Sequence, residues 1–365
     1  MNKNRLESLD VFRGTTIVAM ILVNNPGSWD AIYPPLQHAR WHGCTPTDLV
    51  FPFFLFIVGI SISFALNKPG GLSLSGPVLY RILKRSLLLF LIGVFLNAFP
   101  YFEWSALRIP GVLQRIAIVF FICALLYFVA SWRLLVGISI SILLVYWLVL
   151  YLVPVPGTSI TGVEVTGNLA GWIDHQLLEG HLWAVTKTWD PEGVLSTLPA
   201  VVTGVVGMLT GKWLQSAYQE TDKVIGMFLV GNILVVAGLG WDLVFPINKN
   251  LWTSSYVLYT SGIALNFLAG LYWVIDISKH RGWLSGVFIT FGVNALFVYI
   301  LSMLLASLLY TISIGAVSVQ KIMFIQIDHI LEDDKLSSLV YAMLFVIAMY
   351  IPARILYNRN IILKV

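Results

Sequence analysis

Residues 28–48 read S-W-D-A-I-Y-P-P-L-Q-H-A-R-W-H-G-C-T-P-T-D and bring His38, Arg40, Trp41, His42 and Asp48 into one short segment. A histidine changes charge near neutral pH, so His38 is a natural proton acceptor. Asp48, ten residues further on, is spaced to accept the second ring N–H and orient the imidazole. A plainer reading uses the same residues. Trp29, Tyr33 and Trp41 are interfacial aromatics in it, and Asp48 caps the helix that follows. Cys44 reads as an acyl-carrying thiol or as a small filler.

A second constellation is R-I-P-G-V-L-Q-R-I-A, 108–117. Pro110 suits a helix start, which puts Gln114 and Arg115 one to two turns inside an apolar run. A guanidinium at that depth requires a carboxylate, a cluster of carbonyls or a ligand anion. Asp48, Glu103 and Asp242 are the structural partners on offer. The segment W-D-P-E-G-V-L-S-T-L-P-A (189–200) is a polar turn leading into a helix that holds Pro199. The segment 241–256 adds Asn248, Lys249, Asn250, Ser254 and Ser255. Asn24, Asn25 and Asn294 bring amides to helix ends; singly, each reads as helix-packing glue. Taken together, these groups gather at one side of a membrane, as the lining of a shared polar cavity does. There, Trp41, Asn248, Lys249 and Asn250 are the residues expected to hold a substrate. At the opposite side lie Arg13, Arg81, Lys84, Arg85, Lys279, His280 and Arg281, which serve either as topology determinants or as a seat for a polyanion. No P-loop and no G-x-G-x-x-G after a strand is present. Neither C-x-x-C nor a His/Cys cluster occurs, so no metal is expected.

The elements that must position these groups are long apolar helices. Of 365 residues, 58% are hydrophobic and 11% charged; the mean hydropathy is +0.85. This excludes a disordered chain, a disulfide-stapled module and an ordinary cytosolic enzyme. A net charge of +4, scattered along the chain, does not suggest nucleic acid. Ten runs are long enough to cross a bilayer: 10–27, 47–67, 82–100, 110–130, 133–153, 194–211, 224–245, 254–276, 284–312 and 337–356. The first is short enough for a signal-peptide core, but Glu7 and Asp10 precede it and no small-residue cleavage site follows, so it is expected to be retained. With the N-terminus in the cytoplasm, 15 Lys and Arg face inward, six face outward and Arg115 lies within a span. The expectation is an all-α polytopic membrane bundle of ten helices, both termini cytoplasmic, forming one domain over 1–365. Segments 28–46, 154–193 and 313–336 then face outward.

Six blocks in order resemble the heparan-α-glucosaminide N-acetyltransferase family: R-L-E-S-L-D-V-F-R-G (5–14), V-N-N-P-G (23–27), H-A-R-W-H-G-C-T-P-T-D-L-V-F-P-F-F-L-F-I-V-G (38–59), R-I-P-G-V-L-Q-R (108–115), W-D-P-E-G-V-L-S-T (189–197) and P-I-N-K-N-L-W-T-S-S-Y-V (246–257). The chain looks like a bacterial, membrane-only form without the extra lumenal domain, placed in the inner membrane. The resemblance implies acetyl transfer from cytosolic acetyl-CoA to the amine of a glucosamine-like sugar or glycan across the membrane. It makes His38 the active-site histidine, as base or acetyl carrier, and matches Asn24 and Arg115 to family positions, each a candidate for stabilising the oxyanion. Arg13 and Arg85 are expected near the nucleotide, with Gln114 and Arg115 also assigned to the co-substrate. Acetyl-CoA, an amino-sugar acceptor and the lipid bilayer are the expected partners; a homodimer is an open expectation. An amino-sugar transporter and a sugar O-acyltransferase are the rival readings.

Overall fold

The computed structural model describes residues 6–67 and 73–363; the topology expectations resting on Lys3, Arg5, Lys68 and Lys364 lie outside them. Thirteen α-helices are present among the described residues: α1 Glu7–Asn24, α2 Val50–Leu66, α3 Gly76–Ala98, α4 Val112–Val129, α5 Trp132–Leu152, α6 Leu169–Leu178, α7 Thr197–Leu214, α8 Glu220–Asp242, α9 Ser254–Leu271, α10 Trp283–Val293, α11 Ala295–Thr311, α12 Val319–Leu331 and α13 Asp334–Asn358. A π-helical turn, Tyr272–Ile277, extends α9. A two-residue hairpin, β1 Ser313–Ile314 and β2 Val317–Ser318, precedes α12.

The protein is an all-α, multi-pass membrane chain. Among the described residues, seven helices are long and apolar enough to cross a bilayer, and up to eight if the bent α10–α11 pair is one span. That is fewer than the ten runs expected, because α1 carries Glu7, Asp10 and Arg13, and α3 carries Arg81, Lys84 and Arg85. The run 284–312 is not one straight helix. It breaks at Asn294 and bends by 79°. Segment 154–193, read from the sequence as a connection, contains α6.

Within the bundle, α7 is central and α8 peripheral: 67% and 22% of their apolar stretches are buried by protein. The closest packing joins α2 to α7, α8 to α9, α1 to α10 and α3 to α4. Small residues make the α2–α7 crossing possible. A methyl group on Gly59 would overlap the carbonyl oxygen of Gly204, and one on Gly207 would overlap that of Phe56. Ser63 Oγ donates across the same seam to Met208 O at 2.6 Å. Close backbone approach of this kind is how helices associate where lipid removes the hydrophobic drive.

Candidate active site

The segment Thr45-Pro46-Thr47-Asp48 forms a 3-10 turn, Pro46–Leu49, leading straight into α2. Proline at its first position is pre-set for such a turn, and the turn brings the Asp48 carboxylate back over the preceding loop. Asp48 Oδ2 accepts Ala39 N at 3.0 Å, Thr45 N at 3.0 Å and Thr45 Oγ1 at 3.1 Å. Tyr256 OH donates to Asp48 O at 2.6 Å. So fixed, Asp48 Oδ1 takes the Nδ1–H of His38 at 2.7 Å. The carboxylate is 1% exposed and the imidazole 47%. This is a base-plus-orienter geometry: Nδ1–H is given to the buried carboxylate, which leaves Nε2 as the basic nitrogen of the ring.

Lys249 comes from the connection between α8 and α9. Its Nζ lies 3.0 Å from His38 Nδ1, 3.3 Å from Nε2 and 3.6 Å from Asp48 Oδ1. Burial holds this ammonium below the ordinary lysine range, against the opposing pull of the Asp48 and Glu192 charges. The preceding residue, Asn248, is fully buried. Asn248 Oδ1 accepts Leu251 N at 2.9 Å and its Nδ2 reaches His42 Nδ1 at 3.4 Å. The loop is pinned to the first by Gly43 N donating to Ile247 O at 2.7 Å. Two consecutive residues, Asn248 and Lys249, thus address His42 and His38.

A partly buried ionic cluster joins Arg108 to the 189–200 segment. Arg108 forks onto Asp190 at 2.8 and 2.6 Å and reaches Glu192 at 2.5 Å, which holds its guanidinium above the usual range despite desolvation. Asn97 Nδ2 fixes the start of α4 by donating to Arg108 O and Pro110 O, each at 2.9 Å. One turn on, Arg115 is 1% exposed. Its Nη2 donates to Gly193 O at 3.0 Å and to Ser196 Oγ. The guanidinium carbon lies 5.1 Å from the Trp252 ring centre. Nε and Nη1 of Arg115, and Nε2 of Gln114, are buried without a hydrogen-bond partner. None of the carboxylates offered by the sequence reading (Asp48, Glu103, Asp242) is a hydrogen-bond partner of Arg115; its bonds go to the 189–200 segment. Trp252 is set beneath Arg115 by a left-handed backbone, φ 52°, a conformation that a bulky residue adopts only where its surroundings hold it.

The second feature is a cavity of about 600 Å³ between α1, α2, α3, α4, α10 and α11. Arg13, Arg81 and Arg85 line one end; Ile17, Met20, Phe54, Leu89, Val112 and Leu113 give it an apolar wall. Arg13 Nη1 donates to Asp10 Oδ1 at 3.1 Å and Nη2 to Ser61 Oγ at 3.2 Å. Arg85 lies over the Phe120 ring, 4.9 Å from its centre. His38, Asp48 and Lys249 are not in the lining. Phe54 is six residues beyond Asp48 on the same continuous helical stretch, a rise of about 9 Å.

Of the residues singled out in the sequence, the structure brings together His38, Asp48 and Lys249 at one place, and Arg13 and Arg85 at another. Asn24 ends α1 and is exposed. Trp41 is buried; its Nε1 donates to Val163 O at 2.8 Å and its ring meets that of Trp189 edge-on at 5.0 Å. It supports the loop rather than lying in a surface belt. Asn250 is partly exposed beside Lys249. Burial pushes the Cys44 thiol up to about 12, which disfavours the thiolate and favours the filler reading. Sequence reasoning passed over Arg108, Asp190 and Glu192 as a unit. Two carboxylates either side of a proline in W-D-P-E-G were the available signal.

Residues 5–167 match the family model described as heparan-alpha-glucosaminide N-acetyltransferase, catalytic. The chain is similar to the heparan-alpha-glucosaminide N-acetyltransferase of Mus musculus, 33% identical over 357 residues, covering 81% of this chain and 53% of the relative. It is 32% identical over 355 residues to that of Homo sapiens, covering 81% of this chain and 52% of the relative. The chain spans about half the length of the curated relatives it matches.

Proposed function

The chain belongs to the heparan-alpha-glucosaminide N-acetyltransferase catalytic-domain family, and from that premise we propose that it moves an acetyl group from cytosolic acetyl-CoA to the amine of an amino sugar on the far side of a membrane. In this reading the chain is one transmembrane domain of ten spans in a bacterial inner membrane, α1 and α3 included, with both termini cytoplasmic. The observation that carries it is the His38–Asp48 pair at the start of α2 and, apart from it, a cavity with Arg13, Arg81 and Arg85 in its lining.

The charged nucleotide of acetyl-CoA takes the basic end, near Arg13 and Arg85, and the thin acyl-pantetheine arm follows the apolar wall toward Phe54 and Val112. The amine of the acceptor attacks the thioester carbon and gives its proton to His38 Nε2. The tetrahedral intermediate collapses, the C–S bond breaks, and the imidazolium returns the proton to the CoA sulfur. Asp48 holds the tautomer and stabilises the transient imidazolium. Lys249 and Arg115 supply positive charge for the developing oxyanion. A route through acetyl-His38 uses the same residues in two steps. Asn250 and Lys249 are the acceptor-side contacts of this reading. Trp41 and Asn248 form the floor beneath them.

The test is the purified protein with acetyl-CoA, with and without glucosamine. The expected outcome is CoA release only when the amino sugar is present, with N-acetylglucosamine formed in equal amount. Counterflow of glucosamine without CoA release would make the protein a transporter, and an O-acetyl product would move the acceptor from amine to hydroxyl.

A further inference from the structure

The carboxamide of Asn294 sits in the break between α10 and α11 and is 2% exposed. One stretch of backbone engages both of its ends. Asn294 Nδ2 donates to Ile361 O at 2.9 Å, and Leu363 N donates to Asn294 Oδ1 at 2.9 Å. Giving to residue i and taking from residue i+2 copies the pairing of two extended strands. Such a clamp reads a chain of secondary amides and is indifferent to side chains. The clamp, the strap and the charges share one wall: Asn294, Ile362 and Leu363 line the same cavity as Arg13, Arg81 and Arg85. The side chains of the strap do little to hold it, since Ile362 and Leu363 are 45% and 48% exposed. Its described hydrogen bonds are the two to Asn294 and, at its start, Ile361 N donating to Leu356 O at 3.0 Å, so beyond Ile361 the Asn294 pair is what holds it.

The arm of CoA is chemically a short peptide-like chain with two secondary amides joined by methylenes. We propose that Asn294 is the amide-reading residue for the pantetheine arm, and that residues 361–363 occupy its clamp as a mimic which the arm displaces. This rests on the reading that the cavity receives acetyl-CoA. Exchange replaces one donor and one acceptor by another pair, so no buried amide is left unpaired at any stage. Competition by the strap lowers the apparent affinity for CoA, as any occupant that must leave does.

The experiment measures binding of CoA and of adenosine 3′,5′-bisphosphate, which lacks the arm, to the full-length protein. Leu363→Pro removes the N–H that Asn294 accepts and leaves the segment extended. It is expected to tighten CoA about threefold to tenfold and to leave the bisphosphate unchanged. Adding Asn294→Ala to Leu363→Pro is expected to abolish that gain for CoA alone. Deletion of residues 361–365 gives the same comparison if the proline variant does not fold. CoA affinity unmoved by releasing the strap, or raised equally for both ligands, overturns the inference while leaving the cavity as the CoA site. Failure of the intact protein to bind either ligand overturns the reading beneath it.

Discussion

Asp48 accepts four donors, counting the imidazole, and its backbone carbonyl takes a fifth from Tyr256. Such a carboxylate cannot turn away, so the orientation of His38 is fixed before any substrate arrives. His38→Ala is expected to lose about 10²–10⁴-fold in transfer rate while still folding, with a modestly lowered melting temperature because the buried Asp48 Oδ1 loses its hydrogen-bond partner. Asp48→Asn should fall by a similar factor with some loss of stability, since an amide cannot accept on both ends. Turnover near normal in a folded His38→Ala protein would move the base elsewhere. Arg115→Lys keeps the charge and loses the planar fork. Its Gly193 and Ser196 contacts are neutral acceptors, so no buried carboxylate is stranded by the change. The variant should melt near the wild type and transfer slowly; an early-melting protein with normal turnover would make Arg115 structural. The His38–Asp48 pair was legible because proton acceptor and orienter share one short polar segment. Trp41 was not, because a loop has no period from which to read the direction of a side chain, and its partner, Val163, lies 122 residues away.

At the level of elements, the apolar runs located most helices, since lipid demands nearly continuous apolar sequence. The sequence reading missed the break at Asn294 because the flanking residues are apolar on both sides and nothing in composition marks a 79° bend. It also missed the small-residue seam, which needs two helices to define it. Gly207→Ala is expected to destabilise by about 1–3 kcal/mol or more through overpacking against Phe56. Gly137→Ala on α5, where an added methyl meets nothing, should be neutral or stabilising by up to about 1 kcal/mol; thermal unfolding of the pair in detergent checks both. Helix α6 carries a pH dependence. Asp174 is 2% exposed and accepts Val194 N at 2.8 Å and Asp190 N at 3.3 Å. Burial, the larger influence, nevertheless pushes its carboxyl up to about 6. Between about pH 4 and 6 the folded protein therefore retains a proton that the unfolded chain releases. Stability falls as pH rises through that window, by something on the order of 3 kcal/mol, and stays lower above it. Asp174→Asn should flatten the slope; an unaltered slope in the variant would assign it to another group.

For the whole molecule, the proposed reaction has one requirement that no residue or helix states alone: donor and acceptor would meet from opposite sides of a membrane. The charge bias of the connecting segments gave this direction in the sequence. In the structure, His38, Asp48 and Lys249 lie outside the lining of the arginine-lined cavity, which is consistent with the proposal. Segments 28–46, 154–193 and 313–336 should accept an impermeant thiol reagent from the outer face when a single cysteine is placed in them. Labelling from the cytoplasmic face alone would invert the topology. The most direct measurement uses proteoliposomes with the protein in one orientation, acetyl-CoA on the side of the arginine-lined end and glucosamine on the side of His38. The account predicts N-acetylglucosamine on the His38 side and free CoA, in equal amount, on the other, both lost in His38→Ala. Product formed only when the two substrates share a compartment, or glucosamine crossing with no acetylation, would contradict it.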